Sequence, residues 1–138
     1  MVEVTPSFEL EFEPIDRDHR RLTDMINHIL AAIDAGKPYE CEHLVPDFVE
    51  FAKKHFQRED AFLEQVGYPN RGWHVEHHSH LDNKMDHLIH LATQHSSSKV
   101  AQENLRKELV YFLMDDIINA DLDFKPYLIE QGLIEPKV

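Results

Sequence analysis

His55 and Glu59 stand four residues apart in this chain, and so do His74 and His78. On a helix that spacing puts both side chains of a pair on one face, one turn apart. Two imidazoles on one helix, set against an imidazole and a carboxylate on its neighbour, make half of a cage for a transition metal. A pair at this spacing also arises by chance in a chain with 11 His. The elements that would carry the pairs therefore decide whether they act together.

The apolar pattern predicts four amphipathic helices. The first runs over about 17 to 35, with Asp16 or Asp18 as N-cap, a seam of Leu22, Ile26, Ile29 and Ile33, and His19 one turn before that seam. Gly36 and Pro38 end it. The second, about 40 to 66, carries Leu44, Phe48, Ala52, His55, Glu59, Phe62 and Val66 at spacings of three and four. Gly67-Tyr68-Pro69-Asn70 reads as a turn. The third helix, about 71 to 94, puts His74, His78, Leu81, Met85, Leu88 and Ala92 on one stripe and leaves His77, His80, His87 and His90 off it. Ser96-Ser97-Ser98 supplies a cap for the fourth, about 98 to 118, whose stripe is Ala101, Leu105, Leu109, Phe112 and Asp116, with Leu113 and Ile117 alongside. Asp121 follows near its end.

Ahead of these lies an arm, residues 1 to 16, with Pro6 and Pro14 and the alternating run Phe8-Glu9-Leu10-Glu11-Phe12, which suggests an extended segment laying its apolar side chains on the bundle. Behind them a tail runs to Val138, with Tyr127, Leu128 and Ile129 packing. The expected architecture is one all-α domain, an antiparallel up-down-up-down four-helix bundle over about 17 to 121.

Composition agrees. A chain of 138 residues with 42% hydrophobic and 29% charged residues builds a real core. Four Gly are too few for a many-stranded sheet. The single Cys41 excludes an internal disulfide and fits a reducing, cytoplasmic setting; near a helix start its thiol is expected to be somewhat acidic. No export signal and no 18-residue apolar run is evident, so no membrane span is expected. The net charge of -12 argues against nucleic acid or an anionic membrane surface as partner. Met25, Met85 and Met114 read as core filler, and His28 and His43 as surface histidines.

Each helix thus carries inward polar residues: His19; His55 and Glu59; His74 and His78; Asp116 and Asp121. Buried charge is normally excluded, so four coincidences in one small core are improbable. Four nitrogens and three carboxylates exceed what one tetrahedral zinc needs and suit two octahedral ions bridged by carboxylates.

With these residues in place, the chain resembles the hemerythrins, in particular the single-domain bacterial kind. Ile15-Asp16-Arg17-Asp18-His19-Arg20-Arg21-Leu22 is similar to that family's first-helix motif, His55-Phe56-Gln57-Arg58-Glu59-Asp60 to its second, and Gly67-Tyr68-Pro69 with His74 and His78 to its third. The resemblance departs in the fourth helix, where Phe112 stands for a tryptophan and Asp116 for a fifth histidine ligand. It implies two iron ions bridged by an oxo or hydroxo group and by Glu59 and Asp121. One ion takes His19 and His55; the other takes His74, His78 and whatever position 116 supplies. Phe56, Phe112, Leu113 and Ile117 would line the apolar pocket where dioxygen, reduced to peroxide, is held. Three fates stand open for Asp116: direct ligation, a water-bridged or vacant position, or replacement by His77. Direct ligation would put an extra negative charge on one metal, lowering its reduction potential and speeding autoxidation. Oxygen-rich ligation also admits manganese or a mixed-metal site.

The resemblance favours a dioxygen-binding protein for storage, delivery or sensing over an enzyme. The alternatives are a diiron oxidase or peroxidase and a metal-storage or zinc-binding bundle. No protein partner can be named from these residues.

Overall fold

The computed structural model describes residues 2–3, 8–94 and 98–134. Four long helices dominate: α1 (Glu13–Asp34), α2 (Cys41–Gln65), α3 (Arg71–Thr93) and α4 (Lys99–Tyr111). The last continues through a π-helical stretch (Phe112–Asn119) into a short α5 (Ala120–Leu122), and α6 (Lys125–Glu130) follows. Consecutive long helices pack on one another and α1 also packs on α4, which closes the antiparallel four-helix bundle. Among the described residues no strand is present, and no helix is long and apolar enough to cross a membrane.

The first helix begins earlier than its apolar seam suggests. Pro14 occupies the first turn, where its missing N–H is no loss and its fixed φ fits the helix. Neither Asp16 nor Asp18 caps. Asp16 Oδ1 instead accepts the Leu10 N–H at 2.9 Å and ties the arm to the helix. Asp18 points across to α2. The apolar side chains of the arm do meet the bundle: Leu10 is buried and Phe12 stacks on Phe62 at 4.6 Å. Pro6 lies outside the described residues, as do Ser96 and Ser97. Ser98 caps α4, its Oγ accepting the Ala101 N–H at 3.1 Å.

Helix ends are set by local chemistry. Gly36 (φ 74) and Gly67 (φ 70) take the left-handed conformation that closes α1 and α2, with the following N–H groups, of Lys37 and Tyr68, bonded back to Ala32 and Leu63 carbonyls. The Tyr127 hydroxyl then donates to the Val66 carbonyl at 2.6 Å, pinning α6 to the α2–α3 turn.

The core divides in two. One apolar cluster, including Leu22, Ile26, Phe48, Met85, Leu109 and Phe112, fills the bundle's body. A second, of Leu10, Ile15, Leu63, Tyr68, Phe124, Leu128 and Ile134, closes the end covered by the arm and α6. The expected inward stripes of α1 and α3 are fully buried, whereas Leu44, Phe62 and Val66 of α2 and Ala101 of α4 are half-buried.

Candidate metal centre

Six of the seven polar residues expected inside are brought together. His19, His55, Glu59 and Asp121 form one buried group, and Glu59, His74, His78 and Asp121 form another, with ligand atoms within 4.8 Å of one another in each. Glu59 and Asp121 belong to both. Each helix supplies its share at the same level: α1 gives His19, α2 gives His55 and Glu59, α3 gives His74 and His78, and α5 gives Asp121.

The contacts have the pattern of a coordination shell. Asp121 Oδ2 lies 2.7 Å from His19 Nε2 and 3.1 Å from His55 Nε2. Glu59 Oε2 lies 3.0 Å from His55 Nε2, while its other oxygen, Oε1, faces His78 Nε2 at 3.3 Å and His74 Nδ1 at 3.7 Å. Glu59 therefore offers one oxygen to each group, the disposition of a bridging carboxylate. An octahedral ion with bonds of about 2.1 Å holds adjacent donors about 3.0 Å apart, which is the spacing found here.

Several of these atoms have no other use. Among the described residues, both Glu59 oxygens, both His74 nitrogens and His19 Nδ1 are buried with no aligned hydrogen-bond partner. Buried polar atoms are normally satisfied, so the two Glu59 oxygens and the His74 Nδ1 that faces them have the character of a cation-binding site. The donor set of imidazole nitrogen and carboxylate oxygen suits iron, manganese or zinc.

Charge confirms the tension. Burial and the neighbouring Asp121 carboxylate push the Glu59 carboxyl above its ordinary range. Burial opposes ionisation of Asp121 too, but hydrogen bonds from His19 and His55 overcome it and hold that carboxyl well below the usual value. Burial disfavours charge on His55, yet Glu59, Asp121 and Asp18 more than offset it and hold the ring well above the imidazole range. His78 is likewise opposed by burial and then raised by Asp60 and Glu59, to about 9. His74, dominated by burial, is lowered. Without an ion, protonated rings supply the positive charge that the carboxylates require.

Two residues of the site escaped the sequence reading. Asp18 Oδ2 accepts from His55 Nδ1 at 3.0 Å and from Arg58 Nη2 at 2.9 Å. Asp60 Oδ1 accepts from His78 Nδ1 at 2.9 Å. Each fixes the ring whose Nε2 faces the centre, the usual carboxylate support of a metal-binding histidine. Each sits beside a candidate ligand in sequence, Asp18 before His19 and Asp60 after Glu59, and reaches the next helix. That adjacency was the available signal.

Asp116 is not brought into either group. Its Oδ2 accepts from Lys84 Nζ at 2.8 Å. Its carbonyl takes His77 Nε2 at 3.0 Å, and the His77 ring stacks on Trp73, so His77 does not stand in as a ligand. Of the three fates expected for Asp116, this arrangement is the one in which position 116 contributes no atom to either group. The expected uniform fourth helix is corrected. Five residues of α-helix turn through roughly 500°, which would leave positions 116 and 121 about 140° apart; the π-helical stretch narrows that offset.

The four residues expected to line a dry pocket, Phe56, Phe112, Leu113 and Ile117, are all buried in the larger core cluster, with Phe56 stacked on His78 at 4.3 Å. A separate cavity of about 150 Å³ lies between the start of α1 and the end of α2, walled by Phe12, Ile15 and Phe62 and reaching His55 and Glu59.

The comparisons with known proteins agree with this geometry. The chain is 23% identical over 121 residues to a protein named bacteriohemerythrin from Clostridium acetobutylicum, covering 85% of this chain and 93% of that one. It is 31% identical over 55 residues to the bacteriohemerythrin of Stenotrophomonas maltophilia and 30% over 54 residues to that of Pseudomonas aeruginosa. Those two matches cover 40% and 39% of this chain and only 36% and 35% of the relatives. No solved structure matches the chain. The family model described as the hemerythrin HHE cation binding domain matches residues 11–127, nearly the whole bundle, and the chain belongs to the hemerythrin family.

Proposed function

We propose that this chain is a non-haem diiron protein that binds dioxygen, with His19, His55, His74 and His78 as terminal ligands and Glu59 and Asp121 shared between the ions. The observation that carries this reading is the pair of four-residue groups with two carboxylates in common. Two ferrous ions held there would supply the two electrons that dioxygen takes up on binding. The chain's own residues do the rest. Asp18 and Asp60 hold His55 and His78 with their Nε2 atoms inward. Phe56, Phe112, Leu113 and Ile117 keep water from one side of the centre. The small cavity beside His55 and Glu59 gives a small uncharged ligand room next to the centre. Among the described residues that line this cavity, Asp18 is engaged by both His55 and Arg58, and Glu59 is assigned to the ions, so neither carboxylate is left for onward chemistry. This favours binding over an oxidase or peroxidase.

The test is an optical titration from anaerobic to aerobic conditions, with metal counted per chain. Two irons and a charge-transfer band that disappears under vacuum support the reading. Two irons with immediate, irreversible oxidation move it to an oxidase. One metal or none refutes the diiron centre.

A further inference from the structure

Asp116 is a buried carboxylate on the same continuous helix as Asp121, five residues before it and on the stretch whose turn is widened to π geometry. A carboxylate buried on the helix that supplies Asp121 is a candidate to be drawn to a dication bound there. Here it is engaged elsewhere. Its oxygen meets the Lys84 ammonium at 2.8 Å, and that ammonium also lies 5.1 Å above the Tyr111 ring, so attraction holds it from two sides. The His77 ring nitrogen, bonded to the Asp116 carbonyl, fixes the backbone behind the side chain.

We propose that Lys84 is a positioning residue that withholds Asp116 from the metal centre, so that both ions keep the same ligand set of two imidazoles and two shared carboxylates. The inference rests on the metal reading above. With the four donors of each group counted, the chain would leave room for a further small ligand beside either ion. A ligating Asp116 would instead fill one ion, lower the charge there and leave the two unlike. The Lys84 chain is about half exposed, so its replacement leaves the core packing in place.

The test is anaerobic titration with cobalt(II), whose visible spectrum reports ligand number, on the native protein and on Asp116→Asn, Lys84→Met, Lys84→Arg and Lys84→Met/Asp116→Asn. The expected result is that Asp116→Asn binds both ions within about twofold of the native affinity with an unchanged spectrum. Lys84→Met tightens one ion by about tenfold or more, the scale on which carboxylates near a metal commonly act, and its spectrum shifts. Lys84→Arg and the double variant return to native behaviour. An Asp116→Asn variant that loses one ion or shifts the native spectrum would overturn the proposal, because Asp116 would then be a ligand already. A Lys84→Met variant indistinguishable from native would overturn it too. Failure of every variant to take up cobalt would remove the metal reading and this proposal with it, whereas uptake with an altered Asp116→Asn spectrum removes this proposal alone.

Discussion

Replacing Glu59 by Gln should reverse in sign according to whether metal is present. Glu59 is 1% exposed, and neither of its oxygens has an aligned donor. Burial and the Asp121 charge raise its carboxyl. A carboxyl raised in the fold binds its proton more tightly folded than unfolded, so ionisation lowers stability as pH rises through that window. Glutamine of the same shape never ionises. In a chelator at neutral pH, Glu59→Gln should therefore match or exceed the native protein, with any loss under about 1 kcal/mol. With metal the order inverts. An ion at 1,000 times its dissociation constant stabilises the fold by about 4 kcal/mol, so two ions give about 8 kcal/mol, or roughly 25 °C in a domain of this size. Glu59 is a donor in both groups, and its loss should remove more than half of that gain. The assay is thermal unfolding by far-UV circular dichroism under nitrogen, with chelator and with ferrous ion. The reasoning fails if Glu59→Gln destabilises the chelated protein by more than about 2 kcal/mol, or if it gains as much from metal as the native chain.

Other consequences are as direct. Asp60→Ala leaves His78 Nδ1 unsupported and should weaken one of the two ions by about 10- to 100-fold while sparing the other, read by competition with a chelator of known affinity. Because the His78 ring, disfavoured by burial, is raised by Asp60 and Glu59 to about 9, its proton stabilises the metal-free fold below the ordinary imidazole range, and that contribution is lost as pH climbs through about 9. The ion needs the neutral ring, so apparent zinc affinity should rise by roughly tenfold per pH unit for each displaced proton up to that point; a flat profile would mean that His78 does not face the metal. Cys41 is fully buried, and burial with the nearby Glu40 charge pushes its thiol up to about 11, the reverse of the acidity its helix-start position suggested. It should resist iodoacetamide in the folded protein and react fully in denaturant, followed by mass spectrometry.

What could be read in the sequence was whatever obeys helical periodicity. The stripes that place His19, His55, Glu59, His74 and His78 inside are i, i+3 and i+4 patterns. The helices they define end within a residue or two of the observed bounds, apart from the start of α1 and the end of the fourth helix, which runs on through the π-helical stretch to Leu122. That start went astray because two aspartates before an apolar seam look like caps, while Pro14, the better signal, sat outside the seam. The fourth helix was less regular than its pattern suggested. A π-helical stretch changes the angle per residue, so a 3.6-residue period carried through Phe112–Asn119 leaves Asp116 and Asp121 on different faces, although both are buried as expected. The fate of Asp116 was settled by Lys84, 32 residues away on α3, a pairing that no pattern within one helix reveals. Asp18 and Asp60 were hidden likewise, since each supports a ring on a neighbouring helix rather than its own.

The arm and α6 gain a purpose from this geometry. His74 has neither nitrogen satisfied, and its ring is walled by Trp73, Phe124 and Tyr68 at centroid distances of 5.0, 5.2 and 5.8 Å. Phe124 and Tyr68 belong to the second apolar cluster, which Leu10 of the arm and Leu128 of α6 complete. That cluster seals one end of the polar layer as the bundle's body seals the other. A dry layer raises the stakes. Each buried orphan costs about 1–3 kcal/mol, so the two Glu59 oxygens and the His74 Nδ1 that faces them together reach roughly 3–9 kcal/mol, comparable with a domain's net stability. A bundle that shields such a layer from water is more stable when something other than water satisfies it. A dication held by Glu59 and Asp121 would meet that need for these atoms, and a hydrophobic replacement of either carboxylate would not restore the rings that face it.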